Sequence, residues 1–417
     1  MKSMHNLKLM IRSFLSVGVL CICVSLQAQI STTYSLRHHA ITFKSDRAEI
    51  VVDPAITFKY LSSESYSGVD NIRGATFTAK VDSNFTAGGA LFERQSTLSP
   101  FLSEFALQTS SMPGWGVFKK LDAATWGDNP RTIDIARAIG FLAWSNNRLS
   151  TKIEIGAQKF GWSKSPLMLS QEDVPYPSVK FGWVKSNYFA DVSMNQWVGS
   201  KKDGAVGGEY IIRNINKAII SSAGFSNEYV AIAFLFGHTL EPAISVVSLA
   251  GRFVKNRGFM NYEAATSSTS TSGPSYQIGV GYNGDQFRTG LNIIRTKDGL
   301  YGDGEEMVWS NAGIPLGVIT GNNTKMSTVY FTFKNSDSAK WYFNWEIGTF
   351  SNAQYNSNDN LNDDFSRFAK GSITRVFSPD WDMGITLSVE AFKGHDPMLG
   401  IGVVHGIVRG YEELLIP

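Results

Sequence analysis

Apolar and polar residues alternate with period two along much of the chain, and the clearest example is Met326–Phe350. Its second half places Trp341, Phe343 and Trp345 on one face, after a polar cluster at Asn335–Ser338. Such alternation on both sides of a short turn predicts an antiparallel hairpin with one bulky apolar face. That face meets either the interior of a soluble sandwich or the hydrocarbon of a membrane.

Further hairpins follow the same pattern. Tyr276–Tyr282 runs into Asn283-Gly284, a strong signal for a tight hairpin turn, and Phe287–Ile293 returns from it. Thr132–Trp144 fits either a short helix or a strand, and its isoleucine spacing favours the strand. Long polar segments separate these hairpins, which is typical of a barrel with short turns at one end and long loops at the other.

The first residues predict export. Lys2, Lys8 and Arg12 precede the apolar run Phe14–Leu26, and Ala28 is a suitable last residue before cleavage. The apolar run is shorter than the ~20 residues of a membrane-spanning helix. Residues 1–28 are therefore interpreted as a secretory signal peptide, which would contain both cysteines of the chain and leave none for disulfides or a cysteine zinc site.

Composition then favours the membrane over the sandwich. The 417 residues include 27 Phe, 15 Tyr, 10 Trp and 39 Gly, and no later stretch is a continuous apolar run long enough for a helical span. The sequence thus predicts an all-β fold: an antiparallel transmembrane β-barrel of the bacterial outer membrane, formed by residues 29–417 with about 16–18 strands. Residues 29–54 form either a periplasmic plug or a first strand. The formal net charge of +2 argues against nucleic acid as a partner.

Catalytic and metal chemistry have little support in the sequence. The histidines after residue 28 are scattered and lack metal-ligand spacing, and there is no Gly-x-Ser-x-Gly motif. The acidic stretch Asp359–Asp364 does not fit an EF-hand and is typical of a solvated loop. We therefore expect no enzymatic activity, no metal and no cofactor.

Charged residues on the polar register of the strands are expected to face the lumen. A lumen that carries both signs of charge suits hydrated polar solutes without a preference for anions or cations. Alternatively, these charges neutralise one another and only stabilise the barrel. The predicted lumen-facing residues are Lys152, Glu154, Arg288, Glu346, Arg375, Asp382 and Glu390.

One part of the chain, about 150–325, resembles the capsule-assembly Wzi family. The resemblance lies in Ile155–Trp162, Ser165–Ser170 and the proline pair that precedes Val179–Phe181, and again in Asn311–Gly317. Gln158 stands where the family pattern would have arginine. The resemblance implies an outer-membrane barrel that binds surface polysaccharide, with outer-membrane lipid and lipopolysaccharide around it.

The resemblance also implies that sugar contacts come from extracellular loops, for which Asn261–Pro274, Lys297–Glu306 and Asn352–Asp364 are the candidates. Their side chains supply the donors and acceptors that hydroxyl groups need. The candidate polysaccharide-binding residues are Asn261, Tyr262, Asp298, Tyr301, Asp303, Tyr355, Asn358, Asp359 and Asn360.

Two other functions remain open at this point. A general porin for small hydrophilic solutes would have the same strand pattern and a wide lumen. A barrel subunit of a secretion or gliding apparatus would use its long loops to contact protein partners.

Overall fold

The structure is a computed structural model, and it describes residues 31–33, 41–64, 67–98, 111–120, 132–170, 174–198, 215–271, 273–302, 310–311, 314–317, 321–334, 341–352, 366–378 and 383–405. Within these ranges the regular elements are all β-strands. None of the described residues forms a helix with the length and apolarity that a membrane crossing requires.

The first thirteen strands run from the N-terminal hairpin to the middle of the chain. Their bounds are β1 (Ser31–Thr33), β2 (Ile41–Lys44), β3 (Ala48–Ser62), β4 (Ser67–Val81), β5 (Phe85–Thr97), β6 (Ser111–Met112), β7 (Gly116–Val117), β8 (Lys119–Lys120), β9 (Thr132–Ser145), β10 (Leu149–Gly156), β11 (Tyr176–Lys185), β12 (Tyr188–Val198) and β13 (Ile215–Ser226).

The remaining strands complete the sheet. Their bounds are β14 (Val230–Thr239), β15 (Ser245–Lys255), β16 (Gly258–Ser267), β17 (Ser275–Asn283), β18 (Phe287–Arg295), β19 (Ser310–Asn311), β20 (Ile314–Pro315), β21 (Thr324–Lys334), β22 (Trp341–Asn352), β23 (Ser366–Ser378), β24 (Met383–Phe392) and β25 (Met398–His405).

The sheet closes on itself. Each long strand pairs antiparallel with its neighbours in chain order, and β25 returns to pair with β3, so that Leu399 lies opposite Ser62 and His405 opposite Ile56. The His405 ring also lies 3.2 Å from the carbonyl oxygen of Pro54, 351 residues away in sequence. The wall is a closed 18-stranded antiparallel barrel, which confirms the predicted fold class.

The N-terminal segment supplies part of the wall. In β2, Ile41–Lys44 pairs with Glu49–Val52 of β3, while β25 pairs with the other half of the same edge of β3. Residues 41–54 therefore form a hairpin and the beginning of the first wall strand. The signal peptide predicted at residues 1–28 lies outside the described residues.

The two ends of the barrel differ. Short turns at 82–84, 146–148, 186–187, 227–229, 256–257 and 284–286 lie at one end, together with both described chain ends. The described parts of the connection between β10 and β11 and of that between β18 and β21 lie at the opposite end. Because outer-membrane barrels have short periplasmic turns and longer extracellular loops, the second end is the outer one.

Side chains alternate between the two faces of the wall. In β24, Ile385 and Leu387 point outward and are 48% and 49% exposed, whereas Thr386 between them is 3% exposed. The hairpin predicted around Met326–Phe350 is confirmed as β21 and β22, with Ile347 among its outward residues. The strand expected over Thr132–Trp144 is confirmed as β9. The bulky apolar side chains thus form the outer face of a closed wall.

This alternation predicts opposite responses to a charge on neighbouring positions of β24. Leu387→Arg places a guanidinium on the lipid-facing surface and is expected to lower the free energy of unfolding by ~2–4 kcal/mol near the bilayer midplane. Ser388→Arg, whose native side chain lines a lumen cavity, is the matched control and should cost less. Equilibrium unfolding in lipid vesicles measures both, and equal losses would contradict the register.

Candidate functional site: a loop folded into the barrel

The described part of the connection between β10 and β11, residues 157–170, folds into the barrel and fills part of its interior. Leu167 and Met168 are fully buried, and Leu169 is 2% exposed. These side chains belong to one apolar cluster with inward residues of β12 to β18, among them Trp197 and Leu235. We call residues 157–170 the inner loop. Its apolar side chains convert one half of the lumen into a packed core.

Two glycines allow this loop to lie close to its surroundings. Gly161 has a φ of +80°, a conformation that other residues rarely adopt, and a Cβ there would lie 3.3 Å from Ala250 of the wall. Gly317, in the connection between β18 and β21, lies directly against the backbone of Leu167, where a Cβ would clash with the carbonyl oxygen. The inner loop is therefore held between the wall and a second loop.

A buried carboxyl group anchors the inner loop to the wall. Glu263 of β16 is 2% exposed. It accepts a hydrogen bond from the backbone N–H of Leu167 at 2.7 Å and another from the hydroxyl of Ser248 at 2.9 Å. Hydrogen bonds to a carboxylate are among the stronger ones in proteins. This contact fixes the tip of the loop against β15 and β16.

The second loop covers the first from the outer end. The Tyr301 hydroxyl donates to the carbonyl oxygen of Leu167 at 2.6 Å, and Ser170 N–H donates to the carbonyl oxygen of Leu316 at 2.7 Å. Asn322 accepts from the Tyr301 N–H at 3.0 Å and donates to the carbonyl oxygen of Gly302 at 3.0 Å. The two loops thus form one hydrogen-bonded layer.

A lysine of the inner loop reaches the other side of the lumen. The Lys164 ammonium lies 2.6 Å from a carboxylate oxygen of Glu346 on β22, and 4.9 Å from the centre of the Tyr330 ring. Glu346 also lies 3.3 Å from the ammonium of Lys370 on β23. The loop is therefore attached to two separated parts of the wall, through Glu263 and through Glu346.

A charged cavity of about 250 Å³ lies beside this attachment. On one side Arg94 of β5 donates to Asp70 of β4 at 2.7 Å, and Lys59 of β3 lies next to them. The other side is formed by the charged residues of β22 to β24, which are Glu346, Lys370 and Glu390. The cavity carries three cationic and three acidic side chains, so neither sign dominates.

A second, smaller cavity of about 160 Å³ lies near the turn end. Arg252 and Arg288 line it together with Trp162 and Asn261. The guanidinium of Arg288 lies 5.6 Å from the centre of the Phe259 ring and 5.9 Å from that of Tyr330. This cavity is lined by cationic and aromatic side chains, whereas the cavity of about 250 Å³ has equal numbers of cationic and acidic ones.

Of the seven residues predicted to face the lumen, five lie on inward registers. Lys152 and Glu154 form an ion pair of 2.8 Å, and the other three are Arg288, Glu346 and Glu390. Asp382 lies outside the described residues.

Arg375 differs from the prediction, because it shares the outward register with Phe377 and lies opposite Trp341 and Ile385. Its guanidinium lies 5.3 Å from the centre of the Trp341 ring. Trp341 begins β22 at the turn end, where an aromatic and a cationic side chain suit the membrane interface. The charge is therefore accommodated by the interface instead of the lumen.

The candidate sugar-binding residues do not form one loop surface. Asn261 and Tyr262 belong to strand β16, where Asn261 is buried and inward and Tyr262 faces outward against Phe253. The expectation that they lie in a loop is wrong. Tyr301 is fully buried, and Asp298 is exposed and accepts from Asn323. The remaining candidates, Asp303, Tyr355, Asn358, Asp359 and Asn360, lie outside the described residues.

Sequence reasoning missed the residues that organise the lumen. Glu263 was not predicted as a lumen-facing residue, because the Ser/Thr-rich stretch that follows it suggested a loop. The alternation of Phe259, Asn261 and Glu263 nevertheless continues through strand β16. Lys59, Asp70, Arg94 and Lys370 also lie on inward registers that alternation would have identified. Lys164 has no local signal at all.

The described residues contain no group of three or more potential ligands that could hold a metal ion.

Comparison with known proteins supports the fold. No protein-family model matches the chain, and a search of curated protein sequences finds no match. Among solved structures, Wzi, an outer-membrane protein of Escherichia coli involved in group 1 capsule assembly, superposes with a TM-score of 0.51 at 9% identity, over 84% of this chain and 83% of that one.

Porins superpose equally well. OccK5 (OpdH) of Pseudomonas aeruginosa has a TM-score of 0.51 at 9% identity, over 86% of this chain and 97% of that chain. OccAB3 of Acinetobacter baumannii has a TM-score of 0.51 at 7% identity, over 86% and 98%. At such identities the likeness shows the fold alone, so the chain is an outer-membrane β-barrel.

The buried anchor at Glu263 predicts that the inner loop loosens when the carboxyl group is removed. Glu263→Leu leaves the Leu167 N–H and the Ser248 hydroxyl without this acceptor, and each buried group left unsatisfied costs about 1–3 kcal/mol. We expect lower stability and faster protease cleavage within residues 157–170. Glu263→Gln, which keeps one acceptor oxygen, should lose less. Identical behaviour of the two variants would contradict the anchoring role.

Proposed function

We propose that this outer-membrane barrel is a channel for small hydrophilic solutes whose width is set by the inner loop. The observation that carries the proposal is the attachment of this loop to two separate strands of the wall, at Glu263 of β16 and at Glu346 of β22. An 18-stranded wall encloses more space than its own side chains fill. The loop reduces that space on its apolar side and leaves a charged passage on the other.

The charges beside the loop suit polar solutes and give no preference for cations or for anions. Asp70 is paired with Arg94, and Glu346 with Lys164 and Lys370, so the passage has a balanced field. Alternating acidic and basic groups along a narrow passage can exchange hydrogen bonds with a hydrated solute without holding it tightly. The similar architecture of the porins OccK5 and OccAB3 also supports a channel.

Binding of surface polysaccharide is the second candidate. It is favoured by the likeness to Wzi, whose structure is described as a carbohydrate-binding β-barrel. Among the described residues of the nine candidate contacts, Asp298 is the one that both lies in a loop and is exposed. Asn261, Tyr262 and Tyr301 are unsuited to a surface site, because they are buried or face the membrane. Nothing in the described residues favours the secretion or gliding hypothesis.

The channel proposal predicts that release of the loop widens the passage. Lys164→Ala removes the contact with Glu346, so proteoliposomes should swell faster in small sugars and the single-channel conductance should rise. Lys297→Ala, a lysine of the outer connection, is the matched control and should leave both readings unchanged. Vesicles that fail to swell with either protein would contradict the channel.

The two candidate functions also predict different binding behaviour. A channel passes mono- and disaccharides and retains no polymer, whereas a polysaccharide-binding barrel is captured on a glycan array and loses that capture in Asp298→Ala. We expect passage without capture for the purified barrel. Capture on the array that Asp298→Ala abolishes, without sugar passage, would favour the second candidate.

A further inference from the structure

The cavity of about 160 Å³ near the turn end has charges of one sign. Three arginines line it: Arg252 of β15, Arg257 of the turn between β15 and β16, and Arg288 of β18. The described residues around it include no aspartate and no glutamate. Asn256 and Asn283, at the turns, add amide groups that can donate hydrogen bonds. We call it the arginine cavity.

Arg252 carries a buried donor that the wall does not use. It lies on the inward register of β15, opposite Asn261 of β16. Its Nε is buried and has no hydrogen-bond partner among the described residues. A buried donor without an acceptor is costly, and such groups in native proteins nearly always have a partner. An acceptor atom within the cavity would remove this cost.

Two aromatic rings position Arg288. Its guanidinium lies 5.6 Å from the centre of the Phe259 ring and 5.9 Å from that of Tyr330. Contacts with ring faces orient a guanidinium without neutralising its charge, and its N–H groups can still donate to another acceptor. Because Arg288 is exposed on the inward register, a solute in the lumen can reach it.

The acidic groups beside the cavity are engaged in other contacts. Asp285 lies 2.6 Å from a guanidinium nitrogen of Arg257 at the exposed turn end. Glu263, the next inward residue of β16 after Asn261, accepts hydrogen bonds from the Leu167 N–H and the Ser248 hydroxyl. The charges left for a ligand are therefore those of Arg252 and Arg288.

A buried amide oxygen adds a second requirement. Asn261 lines the cavity and is 5% exposed, and its Oδ1 has no hydrogen-bond partner among the described residues. This atom accepts only, so its partner has to bring an O–H or N–H group. A hydroxyl group suits the site better than an ammonium group, because the arginines repel a second cation.

We propose that the arginine cavity binds the anionic group of a small hydroxylated solute, a carboxylate or a phosphate. Guanidinium groups match both, since their planar donors pair with two oxygens. Arg252 and Arg288 donate to the oxyanion, and Asn261 accepts from the hydroxyl group. The volume equals that of about five water molecules at ~30 Å³ each, so a small solute fits and a polymer does not. A role of this site in passage rests on the channel proposal, whereas binding itself does not.

Calorimetry on the folded full-length barrel in detergent tests the binding. Glycerol 3-phosphate and lactate are expected to bind, and glycerol, which has hydroxyl groups but no charge, should bind about tenfold or more weakly. Arg252→Gln and Arg288→Gln should each weaken the binding of glycerol 3-phosphate by about tenfold or more, because a charge-assisted hydrogen bond is lost. Arg295→Gln, an outward arginine on β18, is the matched control and should leave the affinity unchanged.

The outcomes against the proposal are equally definite. It is overturned when neither anion binds, when glycerol binds as tightly as glycerol 3-phosphate, or when neither arginine substitution weakens the binding. The shift between heated and unheated samples on gels shows which variants have folded.

The hydroxyl requirement has its own test. The wild type should prefer lactate over propionate, which has the same charge and lacks the hydroxyl group. Asn261→Ala should still bind both acids and lose this preference. An equal affinity of the wild type for the two acids would contradict the role of Asn261.

Current measurements in planar bilayers separate this site from the channel proposal. Glycerol 3-phosphate added on the turn side should reduce the single-channel current of the wild type in a concentration-dependent manner, and that of Arg288→Gln much less. A conducting wild type that binds the anion without such a block would contradict a role in passage. A wild type that binds the anion and does not conduct would contradict the channel and support the binding site.

Discussion

The structure depends on the pairing of every backbone N–H and C=O group inside the hydrocarbon. A sheet edge left open there would expose unsatisfied groups at a cost of several kcal/mol each, so the sheet has to close on itself. The contact between β25 and β3 meets this requirement. Closure also imposes the strict alternation of the strands, because each residue then faces either lipid or lumen.

Closure with 18 strands creates a second problem, which the inner loop solves. The interior of such a wall is too wide for its own side chains, so part of it would be water. Leu167 and its neighbours replace that water on one side with a packed apolar cluster. Elsewhere in the interior, Glu346 lies between Lys164 and Lys370, so the charges there are paired. One loop thereby separates an apolar part of the interior from a charged part.

The sequence was sufficient for the wall and insufficient for the interior. Alternation identified the β21–β22 hairpin and the strand β9, because the period of a strand is a local property. It failed at Arg375, where a cation interrupts the outward register and stacks on Trp341 at the interface. It also failed at Tyr262, which was predicted to lie in a loop because Ser/Thr-rich residues follow it, whereas it lies in strand β16.

The interior depends on contacts that no local pattern contains. The bond between Leu167 and Glu263 joins residues 96 positions apart, and that between Lys164 and Glu346 joins residues 182 positions apart. A single sequence gives no sign that a short polar-apolar connection turns into the lumen instead of outward.

The divided edge of β3 has a consequence for assembly. One half of this edge pairs with β2, which precedes it directly, and the other half pairs with β25, whose residue His405 is 351 positions from Pro54. The local half can form as soon as the N-terminal hairpin exists, whereas the distant half has to wait for the last strand, because joining such remote segments carries the largest loss of chain entropy. Half of the closing edge of β3 is thus already paired before the last strand forms. The other half stays open until β25 pairs with it.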